Sequence, residues 1–472
     1  MRKTKIICTL GPAVDDYDLL KKMVLNGLDC ARLNFSHGTH AEQLVRINRV
    51  KQLREELDIA LPILLDTKGP EIRLRDFENG SIFVNEGDQF TLTDNFDELG
   101  NQEKIGLTYP NLADYVKKGN TILVDDGKVG LEVIKVDGRN VVCKVLNGGK
   151  LSNHKSINIP NVVVDMPYLS DVDKSDILFG IKADVDYIAA SFVRRKQDVL
   201  DLRKFLQENG GEQIKIISKI ENTEGVSNME DIIEASDGVM VARGDLGVEI
   251  PFKMLPAVQK DMISKCYRAG KIVVTATQML DSMQTSPRPT RAEVSDVANA
   301  IYDRTTCIML SGESAAGKYP LESVSTMESI AISTEENINH KERFASYKLD
   351  LGDDILSSIC NSAVSCSYQI GAKAIVCVTI NGITAKMLSA YRPDCPIIAV
   401  TVNPKAYHQL ALDWNVKPVR SEMQTSTDEL FLYAAAKAAE TGLVKKGDRV
   451  IIMGGSIIGC GITDTIKIHT MK

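Results

Sequence analysis

The chain has 1 Trp and only 6 His in 472 residues. No pair of histidines stands in a His-Glu-x-x-His arrangement, which argues against a zinc site. The 10 Cys are scattered, without one Cys-x-x-Cys pair. Cys8, Cys307 and Cys377 sit inside apolar runs and read as small core residues. Such spacing offers no disulfide framework, so a cytoplasmic, reducing location is expected. No apolar run approaches the roughly 20 residues that a bilayer-spanning helix needs, so no membrane partner is expected. Basic clusters are also lacking, and the formal net charge is -7. Nucleic acid is therefore not an expected partner. The start, Met1–Leu10, has a basic end and a short apolar stretch, and reads as a first strand rather than a signal peptide. The lone Trp414 reads as a packing residue.

What is present is an ordinary globular composition, 44% hydrophobic and 25% charged. The length suggests about three domains. Strand and helix patterns alternate. Candidate strands cover residues 4–10, 30–35, 61–66, 187–192, 214–220, 238–242, 272–276 and 307–310. Helical patterns lie between them, for example over 198–209, 255–269 and 291–302. Eight strands separated by helices predict a (β/α)8 TIM barrel, with a doubly wound sheet as the alternative. Between about Gly69 and Met166 the texture changes to short β-like pieces. They are punctuated by turn signals such as Asp125-Asp126-Gly127 and Asp137-Gly138. From about Tyr347 a third unit alternates strands near 374–379, 397–401, 417–419 and 449–453 with helices, and 466–469 could add an edge strand. The expected organisation is a barrel domain over 1–69 and 167–345, an inserted all-β lid domain (a small β-barrel) over 70–166, and a C-terminal α/β domain over 346–472. A unit inserted in a βα-loop lies over the catalytic face and can act as a lid.

Lys219 and Glu221 end one apolar run. Side chains alternate along a strand, so both point the same way. An ammonium and a carboxylate at a buried strand mouth are costly to place there. The pair reads either as an ion pair closing a sheet or as part of a site. Other strand ends add Arg32, Asn34 and Ser36 on one face, Asp66-Thr67, Ser191, Asp245, Thr277, Ser311 and Glu313. Ser191 and Ser311 read as helix caps. Glu221 and Asp245 supply hard oxygens suited to a magnesium ion (or manganese). Asn34, Ser36, Asp66 and Thr67 supply mostly neutral oxygens, as a monovalent cation prefers. Arg32, Arg73 and Lys219 can hold phosphoryl oxygens. Gly244 lets a backbone amide approach a small carboxylate at a helix start. The run Gly312–Tyr319 nearly matches a P-loop, but Tyr319 stands where Ser or Thr must ligate magnesium, so that reading is refused.

Taken together, Thr4–Pro12, Ala31–Gly38, Leu65–Arg73, Lys219–Asn222, Met240–Gly247, Ala276–Leu280 and Leu310–Glu313 resemble pyruvate kinase, in the family's order and over nearly the whole chain. The resemblance implies transfer of a phosphoryl group from phosphoenolpyruvate to ADP, giving pyruvate and ATP. It implies Mg2+ at Glu221 and Asp245, and K+ at Asn34, Ser36, Asp66 and Thr67, with Glu71 the residue type that accompanies potassium dependence. Lys219, Arg32, Thr277 and Arg73 match catalytic positions. Arg32, Lys219, Gly244, Asp245 and Thr277 match substrate-binding positions. Asn34, His37, Arg73 and Lys155 match nucleotide-binding ones, although the neighbours of Lys155 depart from the family's commoner sequence. A homotetramer is implied as well. The loop Thr379, Asn381, Gly382 and Thr384 corresponds to the family's effector loop for a phosphorylated metabolite. It lacks the basic residue often found there, and an ordinary strand-to-helix turn is the competing reading. The late loop Gly454–Gly461 lacks the usual proline. Rival functions are a non-catalytic phosphometabolite sensor on the same fold and a barrel lyase working through a metal enolate.

Overall fold

The computed structural model describes residues 2–94, 98–346, 349, 351–352, 354–456 and 461–472. The expected third-unit start at Tyr347, and residues 457–460 of the late loop, lie outside the described residues. Eight parallel strands close into a barrel. They are β1 (Lys5–Leu10), β2 (Cys30–Asn34), β3 (Ile63–Asp66), β4 (Tyr187–Ala190), β5 (Lys215–Ile220), β6 (Gly238–Ala242), β7 (Ile272–Ala276) and β8 (Cys307–Leu310). Each pairs with its chain neighbours, and β8 returns to β1 in the register Lys5↔Cys307 to Cys8↔Leu310. That closure excludes the doubly wound alternative.

The strands are rich in Ile, Val and Leu because both faces are buried. Alternate residues point inward, including Ile7, Leu64, Tyr187, Ile217, Met240 and Val274. The others, such as Ile6, Leu65, Ile188 and Val239, pack under the surrounding helices. Several strands stop short of their apolar runs. β4 ends at Ala190, which releases Ser191 and Phe192 into the loop at the barrel mouth. Capping boxes at Thr39, Ser170 and Thr290 start three of the outer helices. Leu412, from the C-terminal part of the chain, joins the interior cluster and is fully buried. Beside it, Tyr187 Oη donates to Gln409 O at 2.8 Å.

Among the described residues, nine short strands lie between β3 and β4. Seven form one sheet, whose edge strands are Ile72–Arg73 and Lys104–Gly106. These edges meet through the bridge Leu74↔Leu107. Arg75 N donates to Gly106 O and Thr108 N to Arg73 O, both at 2.9 Å. The strip thus curls around Phe90, Leu92, Val124 and Leu131. The turn Asp125-Asp126-Gly127 has φ of 54°, 55° and 81°, the left-handed conformations its residue types tolerate.

The C-terminal sheet has strands Ala374–Val378, Ile397–Thr401, Val416–Arg420, Arg449–Gly454 and Thr465–Thr470. The first four are parallel, and the last is an antiparallel edge. Among the described residues no helix is long and apolar enough to cross a membrane.

Candidate active site

The C-terminal ends of β2 to β5 converge on one buried ionic cluster. Asp66, the last residue of β3, is its centre. Arg32 Nε donates to Asp66 Oδ2 at 2.7 Å. Lys219 Nζ donates to Asp66 Oδ1 at 3.0 Å and to Ser191 Oγ at 2.7 Å. Lys219 Nζ also stands 2.9 Å from Glu221 Oε1. Glu221 Oε2 accepts from the Phe192 amide at 2.6 Å. The geometry to Oε1 is that of an ion pair without hydrogen-bond alignment, so this buried oxygen has no hydrogen-bond partner. Arg32 Nη1 reaches Thr9 Oγ1 at 2.7 Å, which ties in β1.

Burial alone would push the Asp66 carboxyl up, but Arg32 and then Lys219 outweigh it and hold it below the usual carboxylate range. Burial favours a neutral amine at Lys219, yet Asp66 and Glu221 raise it above an ordinary lysine. Glu221 goes the other way and is pushed up to about 8. Burial is the largest cause, the Lys219 ammonium opposes it, and the negative charge of Asp245 adds to it. A buried carboxyl that resists ionising, with an unpartnered oxygen and a second carboxylate close by, is the donor set a divalent cation would stabilise. The residues therefore fit magnesium.

The monovalent-cation candidates also gather. Asn34 and Asp66 are register partners on β2 and β3. Asn34 Oδ1 accepts from Ser36 N at 3.0 Å. Thr67 continues the same edge, its amide on Ala189 O at 3.0 Å. Their neutral oxygens and single carboxylate group fit potassium. A cleft of about 490 Å³ lies between the inserted sheet and the barrel, lined by Glu71, Asn158, Phe192, Asn222, Asp245 and Glu249 among others.

Gly244 and Thr277 meet across β6 and β7. A Cβ at Gly244 would stand 3.0 Å from Thr277 Cγ2, a tight contact that would press on that methyl. Neither serine acts as the expected cap. The helix after β4 starts with Arg195 at its N-cap, while the Ser191 hydroxyl belongs to the Lys219–Asp66 cluster. Ser311 makes no side-chain cap bond. Its amide, and that of Leu280, are taken by the Glu313 carboxylate at 2.8 and 3.1 Å. The near-P-loop run opens with the short helix Gly312–Ala315, and Lys318 is exposed.

Three expected residues stand apart from the cluster. Arg73 and Lys155 lie on the inserted sheet, where Arg73 Nε is 2.8 Å from Glu71 Oε2 and Lys155 Nζ is 2.8 Å from Asp125 Oδ1. His37 is exposed at the β2 loop. In the C-terminal unit, Thr379 Oγ1 accepts from Gly382 N at 3.1 Å, and Thr384 Oγ1 lies 2.7 Å from Thr463 Oγ1. Thr379 and Thr384 line a cavity of about 70 Å³ with Ser421 and Glu422, and among the described residues no Lys or Arg lines it. Asn381 is exposed beside it. Trp414 is buried, with the Arg392 guanidinium 4.7 Å from its ring centre.

Sequence reasoning passed over Thr9, Arg243 and Glu249. Thr9 and Arg243 do sit at strand ends, the signal that found the rest. Glu249 has no such signal. It meets the inserted sheet through Asn158 Nδ2, 2.9 Å from its Oε1.

Comparisons with known proteins point to one family. A family model described as pyruvate kinase, barrel domain, matches residues 1–324, and one described as pyruvate kinase, alpha/beta domain, matches 357–469. A protein named pyruvate kinase from Clostridium acetobutylicum is 47% identical, with both chains fully covered. Namesakes from Bacillus licheniformis and Geobacillus stearothermophilus are each 48% identical over all of this chain and 81% of their own length.

Proposed function

The chain belongs to the pyruvate kinase family, and from that premise we propose how its residues carry out the family's reaction. It is a phosphotransferase that moves the phosphoryl group of phosphoenolpyruvate to ADP, giving pyruvate and ATP. The observation that carries the residue assignment is Lys219, charged and buried, held between Asp66 and Glu221 at the barrel mouth. Phosphoryl transfer demands positioning and charge neutralisation more than covalent help. Lys219 and Arg32 face the group in flight, with Arg32 oriented by Asp66 and Thr9. Glu221 and Asp245 would hold Mg2+ or Mn2+, whose charge would stabilise the substrate carboxylate and the developing enolate oxygen. Asn34, Ser36, Asp66 and Thr67 would hold K+. The amide of Gly244 binds the carboxylate end of the substrate, and Thr277 holds the water that relays a proton to the enolate carbon. Arg73 and Lys155, with His37 and Asn34, bind the nucleotide, exchanging their contacts with Glu71 and Asp125 for phosphate oxygens.

The wider setting follows the same reading. The enzyme works in the cytoplasm, in keeping with buried thiols such as Cys8, Cys307 and Cys377. It assembles as a homotetramer, and a stable monomer in sedimentation would remove that assignment. A phosphorylated metabolite binds at Thr379, Asn381, Gly382 and Thr384. If titration of such effectors leaves the phosphoenolpyruvate saturation curve unchanged, regulation at that loop is lost.

One coupled assay tests the core: pyruvate release from phosphoenolpyruvate with ADP, magnesium and potassium. ADP-dependent pyruvate is expected. Binding of phosphoenolpyruvate without turnover would favour the sensor reading instead.

A further inference from the structure

β7 is followed by two residues in the left-handed region, Thr277 at φ 70° and Gln278 at φ 55°. A β-branched residue there is a genuine outlier, and it persists only when its surroundings hold it. Arg243, which follows β6, is placed to do this. Its Nε donates to Ala276 O at 3.0 Å and to Thr277 O at 3.1 Å. Nη2 donates to Thr277 O at 2.6 Å and lies 2.9 Å from Met279 Sδ. The other arm, Nη1, is anchored on Asp296 Oδ2 at 2.7 Å, in the helix Arg291–Tyr302. The guanidinium is thus stretched between a fixed carboxylate and the strained carbonyl. The next residue, Gly244, packs under the Thr277 methyl, so the same chain segment holds Thr277 on two sides.

We infer that Arg243 is a positioning residue for the proton step, fixing the left-handed turn that aims the Thr277 hydroxyl. The inference rests on the proposed role of Thr277. In that step the C=C pair of the enolate takes a proton from the relaying water at the methylene carbon, and the C–O bond becomes the pyruvate carbonyl. Solvent returns the proton to the water. Arg243 touches none of these atoms. Its planar fork reaches two carbonyls and a carboxylate at once, which the point charge of a lysine cannot reproduce.

The test uses the full enzyme with magnesium and potassium. It compares wild type, Arg243→Lys, Asp296→Asn, Thr277→Val and the Arg243→Lys/Thr277→Val double variant. Solvent deuterium entry into the pyruvate methyl group is followed by NMR, beside pyruvate formation, the KM for phosphoenolpyruvate and the thermal midpoint. Thr277→Val should slow methyl exchange on the order of 100-fold, the usual scale for a proton-transfer group. Arg243→Lys should slow it roughly tenfold or more with KM almost unmoved, and add nothing in the double variant, since both act through one residue. Asp296→Asn should give a smaller loss of the same kind, and it carries the test if Arg243→Lys fails to fold. If Thr277→Val exchanges like wild type, the Thr277 role falls and takes this inference with it. If Thr277→Val is impaired while the Arg243 and Asp296 variants lose only thermal stability, the inference about Arg243 alone is overturned.

Discussion

Lys219, on β5, reaches past β4 to place its ammonium 3.0 Å from Asp66 Oδ1 on β3. Asp66 shares its other oxygen with Arg32. Two cations therefore lean on one buried carboxylate. These cations suit an anionic ligand, while the Glu221 carboxyl, with Asp245 near it, suits a metal, and each can be probed separately.

Lys219→Met removes the charge proposed to face the phosphoryl group. Loss of one preorganised electrostatic group typically lowers turnover by about 100- to 1000-fold. A steady-state assay with phosphoenolpyruvate and ADP should give that loss, with Arg32 still holding Asp66. Turnover near wild type would take Lys219 out of the mechanism.

Glu221→Gln keeps the shape and removes the negative charge of one proposed magnesium ligand. The expected result is a magnesium requirement raised on the order of tenfold or more, read from activity against magnesium concentration. The Phe192 amide keeps an acceptor in the glutamine oxygen, so the fold should hold. An unchanged magnesium curve would place the ion elsewhere.

Omitting potassium should lower the rate at saturating magnesium. The oxygens proposed to hold it, on Asn34, Ser36, Asp66 and Thr67, lie at one edge of the mouth. A rate indifferent to sodium or potassium would contradict that assignment and the meaning given to Glu71.

His408 sets an acid limit on stability. Burial, then the Arg54 charge, holds it down at about 4, and its Nδ1 accepts from Leu61 N at 3.3 Å. An unfolded histidine titrates near pH 6.5. Between about 6.5 and 4 the unfolded chain takes a proton that the folded one refuses, so stability falls as pH drops through that window. The thermal midpoint of His408→Gln should decline less than wild type from pH 6.5 to 4. Parallel declines would show that His408 contributes nothing.

Leu412 fills the barrel interior from the C-terminal unit. Leu412→Ala should cost about 2–5 kcal/mol, as buried leucine truncations do, and lower the unfolding midpoint. A midpoint unchanged within error would mean that the barrel floor closes without it.

Much of this was legible in local pattern. β-branched runs broken by helical stretches predicted eight barrel strands, and reading the polar residue at each strand end picked out Arg32, Asp66, Lys219 and Glu221, which the fold brings together, with Asp245 and Thr277 as further candidates. Alternation and burial act over a few residues, so they are written in the order of the chain. Serine was misread because a cap and a site hydroxyl look alike until the loop is placed. β4 ends one residue before Ser191, and that single residue sends its hydroxyl to Lys219 instead of a helix amide.

The amino-acid sequence by itself determined the strands, the turns and which side chains could reach the barrel mouth. Tertiary structure alone decided that Lys219 would share Asp66 with Arg32, that the inserted sheet would be joined through Leu74 and Leu107, and that Arg243 would grip Thr277. Those pairings join residues far apart in the chain. They depend on how the ring closes and in what register, because a side chain's reach is set by the strands that stand beside it and not by its neighbours in the chain.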